Sequence, residues 1–195
     1  MIHESYTWKQ DLIKQRDRIA INVNKKRDEE TLASIEKGVF FSAFIIRKLM
    51  DCPGKVSDEV DMYRINTIAF SPLKKIDFYN RWIDSESHDW ENGKRKSIEG
   101  RRICNMLIHS LVFSFEYSGN NGDDPDYITG FLVSSDYSED LYCVSISDWL
   151  EFVEFVATDD VVYSQIKYDV VSDKHYYVLK KRLSDGRLNR VGDSL

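Results

Sequence analysis

Apolar positions recur at helical spacing through the first fifty residues and at strand spacing in the C-terminal half. Trp8, Leu12, Ile13, Ile19, Ala20 and Val23 make one broad face of a first helix, opposite Lys9, Lys14, Arg16, Asp17, Arg18 and Lys25. Ser5 or Thr7 is placed to cap it. After the charged run 25–30 come Leu32, Ile35, Val39, Phe40, Ala43, Phe44, Ile46, Leu49 and Met50. A helix apolar around so much of its circumference must be buried on most sides, and Pro53-Gly54 stops it. Arg47 lies inside this apolar stretch, where an acid on a neighbouring helix is its expected partner.

The middle of the chain is less periodic. Residues 56–62 suit a short helix, and 65–70 an extended segment ending at Ser71-Pro72. Phe78, Tyr79, Trp82 and Ile83 form an aromatic cluster, and the polar segment 84–96 reads as an exposed lid or docking loop. Ser97 opens a third helix with Ile98, Ile103, Met106 and Leu107. Beyond residue 110, Leu111–Tyr117, Tyr127–Ser134 and Leu141–Ile146 read as strands, separated by a turn-rich stretch at 118–125 and an acidic turn at 136–140. Ser147 caps a helix at 148–157, and 161–171 with 176–179 form a hairpin turning at Ser172-Asp173-Lys174. The tail from Ser184 is polar and expected to fray. Helices first and strands after give an α+β class. A helical region over 1–110 packs with an antiparallel β-rich region over 111–195 that carries one helix, together one compact unit.

Composition narrows the function classes. The chain has 195 residues, 42 % apolar and 31 % charged, which excludes a disordered tail or a low-complexity linker. No apolar run is long enough to span a membrane, and the first ten residues lack the apolar core of a signal peptide. Cys52, Cys104 and Cys143 are far apart, and His3, His88, His109 and His175 are dispersed. That spacing suits neither a zinc site nor a disulfide framework, so reduced thiols in a cytoplasmic protein without metal or cofactor are expected. The net charge is −6, but residues 1–110 carry 20 basic and 17 acidic side chains against 7 and 16 in residues 111–195. Broad nucleic-acid binding over the whole surface is excluded; a local site on the mildly basic half is not.

One helical motif rises above this background. Arg102, Asn105 and His109 fall at i, i+3 and i+7, one stripe of the third helix. An imidazole moves protons near neutral pH and a guanidinium holds a phosphate through two hydrogen bonds, the equipment of phosphodiester chemistry. Lys94, Arg95, Lys96 and Arg101 lie just upstream and beside it, where they would extend the positive field toward RNA.

With the long apolar helix 43–49 before it, the segment Arg102-Ile103-Cys104-Asn105-Met106-Leu107-Ile108-His109 resembles the HEPN superfamily of helical proteins. There a late helix carries an arginine, four to six residues and a histidine, with a polar residue four positions before the histidine. Asn105 and His109 match, Arg102 fits the loosest spacing, and Cys104 stands where the commonest form has its arginine. The resemblance implies a homodimeric, metal-independent endoribonuclease of a toxin or phage-defence system. In it His109 and Arg102 would act at the RNA 2′-hydroxyl and scissile phosphate, and Asn105 would orient them. Cys104 and the acidic second half favour another class: a catalytically silent HEPN-like module that binds a partner protein, such as an antitoxin. No GxGxxG, phosphate-binding loop or nucleophile elbow is present, which disfavours a nucleotide enzyme or hydrolase.

Overall fold

A computed structural model describes residues 2–25, 28–77, 79–118, 127–136 and 140–182. The tail from Ser184 and most of the turn-rich stretch at 118–125 lie outside the described residues. Two long helices come first, α1 (Ser5–Asn22) and α2 (Glu29–Asp51), packed against each other. The apolar faces are those the periodicity marks: Leu12 and Ile19 of α1, and Ile35, Val39, Ala43, Ile46 and Leu49 of α2, have no exposure. Gly38 brings the two helices together, because a Cβ there would stand 2.7 Å from Ile19 Cγ1. Asp28 caps α2 by accepting the Thr31 N–H at 2.7 Å, with Glu29 and Glu30 complementing the helix dipole. Neither Ser5 nor Thr7 caps α1; Glu4 holds the cap position and makes no side-chain cap bond.

The short helix α3 (Asp58–Asp61) and the strand β1 (Arg64–Phe70) fall where the sequence places them. The next stretch differs. Residues 94–99 form a strand, β2 (Lys94–Glu99), and α4 (Gly100–Ile108) begins three residues later than Ser97. Three consecutive charged residues, Lys94, Arg95 and Lys96, conceal the strand, since an edge strand needs only one apolar face. β3 (Ser110–Ser118), β4 (Tyr127–Ser135) and β5 (Leu141–Ser145) follow. The helix α5 (Ile146–Ala157) is capped by Ser145, not Ser147: its Oγ accepts the Asp148 N–H at 3.0 Å. A hairpin of β6 (Val161–Asp169) and β7 (Lys174–Arg182) ends the described chain.

The architecture is α+β. The main sheet is antiparallel with order β2-β1-β5-β4-β3, so two strands from before residue 110 join three from after it. Among the described residues β6 and β7 pair only with each other. Strand alternation gives the main sheet two unlike faces. Ile65, Ala69, Ile98, Phe131, Val133 and Val144 meet α2, α4 and α5 in the main core, where the Trp149 ring stands edge-on to Phe131 at 5.7 Å. Val112, Leu132, Leu141 and Cys143 face the other way and are covered by Ile76, Ile83 and Trp90.

That cover overlaps the segment 84–96 expected to be an exposed lid or docking loop, of which 84–86 and 91–93 are exposed while Trp90 packs on the sheet. It is pinned by a bridge between Pro72 and His88 and by the Trp90 indole N–H, which donates to the Asp84 carbonyl at 3.1 Å. Of the expected aromatic cluster, Tyr79 and Trp82 are 90 % and 75 % exposed, Ile83 packs inward, and Phe78 lies outside the described residues. His88 is buried, with Nδ1 2.9 Å from Ser87 Oγ and Nε2 unpartnered among the described residues.

Two junctions lock the layers. Gly100, between β2 and α4, has the Phe152 ring where a side chain would be: a Cβ would lie 2.3 Å from Phe152 Cζ. Asp159, fully buried after α5, accepts from Ser57 N–H at 2.8 Å and Ser57 Oγ at 2.7 Å, and Arg182 Nε lies 3.7 Å from it. Its carbonyl accepts from the buried Lys9 ammonium, so one residue joins α1, the loop before α3, α5 and β7.

Gly100→Ala is expected to destabilise the fold by about 2 kcal/mol through overpacking, read as a lower urea midpoint at unchanged slope. Burial, reinforced by Lys74 and opposed by Asp84 and Asp140, lowers the His88 pKa from its ordinary 6.5. Below that pH the unfolded chain takes up a proton that the folded one refuses, so stability falls on acidification. The wild-type melting temperature should therefore drop between about pH 7 and pH 5, and His88→Gln should flatten that slope in calorimetry.

Candidate functional site

The motif residues stand on a helix of nine residues that emerges from an edge strand. Ile103, Cys104, Met106 and Leu107 are buried in the core, which turns Arg102 and His109 to solvent. His109 is the C-cap, with φ −111° and ψ 33°, and its backbone N–H donates to the Asn105 carbonyl at 3.0 Å. It therefore closes the helix, and the chain turns out of it into β3 at the next residue. About 10 Å of helix rise separates Arg102 from His109. Asn105, between them, is turned to α2, where its Oδ1 accepts from Arg47 Nε at 2.5 Å.

Arg47 bonds Asp51 on its own helix, not an acid on a neighbouring one. Arg101 donates to Asp51 at 3.0 Å, to Asp61 at 2.9 Å and to the Met50 carbonyl at 3.1 Å. Lys180 reaches the same Asp61 at 3.0 Å. Burial works to raise the Asp51 carboxyl, and the Arg47 and Arg101 guanidiniums outweigh it, holding the group below its usual value. Arg101 thus ties α4 to α2 and α3.

Lys94, Arg95 and Lys96 alternate across β2. Lys96 lies on the helix side, paired with Asp140 at 2.6 Å, and its ammonium stands 5.7 Å from the Tyr142 ring centre. The Arg102 guanidinium stands 5.9 Å from the same ring. The structure therefore brings Lys96 and Arg102 together over one tyrosine, and sends Arg95 to the opposite face. Cys104 has no exposure, and burial pushes its thiol far above the ordinary range. Such a thiol is packing, not a nucleophile.

The opposite face holds a groove of about 600 Å³ that the sequence reading did not mark. Two residue rows cross the sheet here. One runs Arg95, Ile68, Cys143, Leu132, Ser114 through successive register pairs. The other pairs Ser97 with Asn66 on one side and Ser145 with Gly130 and Glu116 on the other. The segment 71–93 covers the sheet next to these rows and leaves the groove open.

Gly130 makes room in this groove. A Cβ there would lie 2.7 Å from the Val144 carbonyl oxygen and 2.9 Å from Glu116 Oε2. The Glu116 carboxylate leans across the vacant position to accept from the Cys143 thiol at 2.9 Å. Burial, then the Glu116 bond and charge, push that thiol well above its usual range, which keeps it protonated as a donor. Asp148 closes the groove beyond Ser145, accepting from its hydroxyl at 2.6 Å. A lone glycine inside an apolar strand was the one sequence signal for this close approach.

A second groove, of about 360 Å³, runs between α1 and α2 beside Trp8, Phe41 and Phe44. Neither groove takes a lining residue from α4. Among the described residues no cluster of His, Cys, Asp or Glu could hold a metal ion, and no helix is long and apolar enough to cross a membrane.

In the native protein at about pH 8, Cys104 and Cys143 should resist alkylation while the half-buried Cys52 is labelled first, and all three should label in denaturant; peptide mass spectrometry reads the order.

No protein-family model matches this chain, and neither the curated proteins nor the solved structures include a match to it.

Proposed function

We propose that this protein is a protein-binding module that engages its partner through the β6–β7 hairpin. The supporting observation is the character of that hairpin. Of the twenty large apolar residues exposed among the described ones, nine lie between Val162 and Val178. Val170 and Val171 at the turn are 79 % and 96 % exposed. A ribbon of two strands with no third strand beside it among the described residues is marginal by itself in water, and an apolar patch of this kind is characteristic of an interaction surface.

The base of the hairpin is fixed to the body. The Lys180 N–H donates to Asp58 at 2.9 Å, and the Arg182 guanidinium lies 4.1 Å from the Phe155 ring centre. A Cβ at Gly54, whose φ is +74°, would meet the Tyr177 hydroxyl at 2.8 Å. The outer half presents Ile166, Tyr168 and Tyr176 among the balanced charges of Lys167, Asp169, Asp173 and Lys174, which suits an apolar partner surface with a polar rim. A partner strand adding to β6 or β7 would satisfy the open edge. In this reading α4 is structural, because Asn105 and Arg101 are engaged with α2 and Cys104 fills the core.

The exposure of Arg102 and His109 favours a second reading, the metal-independent endoribonuclease of a HEPN-like homodimer. Two copies would have to face these helices to complete one site, with Lys96 beside Arg102 as a phosphate contact.

One experiment separates the two. Affinity capture from the native host compares wild type with Val171→Asp/Tyr176→Asp, and RNA cleavage is assayed with EDTA for wild type and His109→Ala. The module reading expects a specific partner retained by wild type and reduced about ten-fold or more by the hairpin variant, whose circular dichroism is unchanged. Equal retention by both proteins overturns it. Chelator-resistant cleavage that disappears in His109→Ala establishes the enzyme reading instead.

A further inference from the structure

We propose that the groove on the open face of the main sheet binds a free basic α-amino acid, its cationic side chain on Glu116 and its α-carboxylate on Arg95. The proposal is independent of the hairpin and of α4, which contribute no residue to the groove.

Two charges in the groove lack partners of their own strength among the described residues. Glu116 is half-buried, and the only donor to its carboxylate among the described residues is the Cys143 thiol, a weak one. A carboxylate drawn out of water toward so poor a donor is stabilised by a charged N–H that enters the groove. Arg95 lines the other end and makes no ion pair among the described residues. The two groups have opposite sign, so a ligand carrying both signs at its ends neutralises both at once.

The spacing selects the size of that ligand. Arg95 stands on β2, and Cys143, with the Glu116 carboxylate beside it, stands two strands away on β5. Two strand spacings are about 10 Å. Side chains stand roughly perpendicular to a sheet, so a gap of that order lies between the two charged groups, enough for one extended basic amino acid and too short for a dinucleotide.

The floor selects its chemistry. Ile68, 40 % exposed, lies between Arg95 and Cys143 in the same cross-strand row. It offers an apolar bed for the methylene stem of a lysine- or arginine-like side chain. Asn66 and Ser97, paired in the adjoining row, are placed to meet the α-ammonium. Gly130 keeps the cationic end clear, since any side chain there would occupy the position that the Glu116 carboxylate leans across.

Calorimetric titration of the full chain tests this with three probes. L-arginine carries both ends; agmatine keeps the guanidinium and lacks the carboxylate; L-norvaline keeps the carboxylate and lacks the guanidinium. L-arginine is expected to bind, and the other two at least about ten-fold more weakly, since each loses one charged hydrogen bond. Glu116→Gln and Arg95→Ala, with circular dichroism as the check on folding, should each lower L-arginine affinity by a similar factor. Glu116→Gln should in addition abolish the preference for L-arginine over L-norvaline, which a merely structural role would leave intact. Absence of L-arginine binding at millimolar concentration overturns the proposal. So does agmatine binding as tightly as L-arginine, or an unchanged affinity in both variants.

Discussion

The contact between Gly100 and the Phe152 ring sets the geometry on which the remaining features depend. β2 passes into α4 with no linker, and the Gly100 N–H donates to the Tyr63 carbonyl at 2.8 Å as the chain turns. With no Cβ at this point, α5 can approach the junction until the Phe152 ring occupies the side-chain position. The direction of α4 is then decided. Its apolar side enters the core against α2, Arg101 is carried to Asp51 and Asp61, and Arg102 is left over Tyr142 beside Lys96. A bulkier residue at position 100 would move the helix that carries every motif residue.

The same sheet serves two environments. One face is closed by three helices around Phe131, Trp149 and Phe152. The other is closed over part of its width by the segment 71–93, and remains a groove where the cover stops. Polar groups follow that division. On the closed side Asp159 bonds Ser57 and faces Arg182, and Lys9 bonds the Asp159 carbonyl, while the Trp149 indole N–H has no partner among the described residues. Burial lowers the Lys9 pKa, while Asp159 and Asp160 oppose the shift and favour the ammonium. In the groove Glu116 and Arg95 lack such partners among the described residues, as expected of a surface shaped for binding and not for internal stability.

Long periodic segments were legible because burial imposes one period on each of them. The faces of α1 and α2, the helix at 146–157 and the strands after residue 110 follow from alternation alone. β2 was not legible. Lys94, Arg95 and Lys96 carry no apolar alternation, and only pairing with β1 makes them a strand. Residues 84–96 read as an exposed lid or docking loop for a related reason. More than half of 84–93 is exposed, yet Trp90, with Ile76 and Ile83 before it, seats the stretch on the sheet. At the candidate site the i, i+3, i+7 spacing identified residues on one helix, but not the Arg47 that takes Asn105 or the helix end that falls at His109.

The amino-acid sequence by itself determined the α+β class, the buried faces of the long helices and the separation of a mildly basic half from an acidic one. These are local properties, set by side-chain period and by charge along the chain. Tertiary structure alone decided which charges stand together. It put Lys96 and Arg102 over one ring, turned Arg95 to the far side, and brought Glu116 to Cys143 across Gly130. Strand register is a long-range property, and a single step of it exchanges the two faces of a sheet. For that reason the groove could not be read from spacing along the chain, whereas the helices around it could.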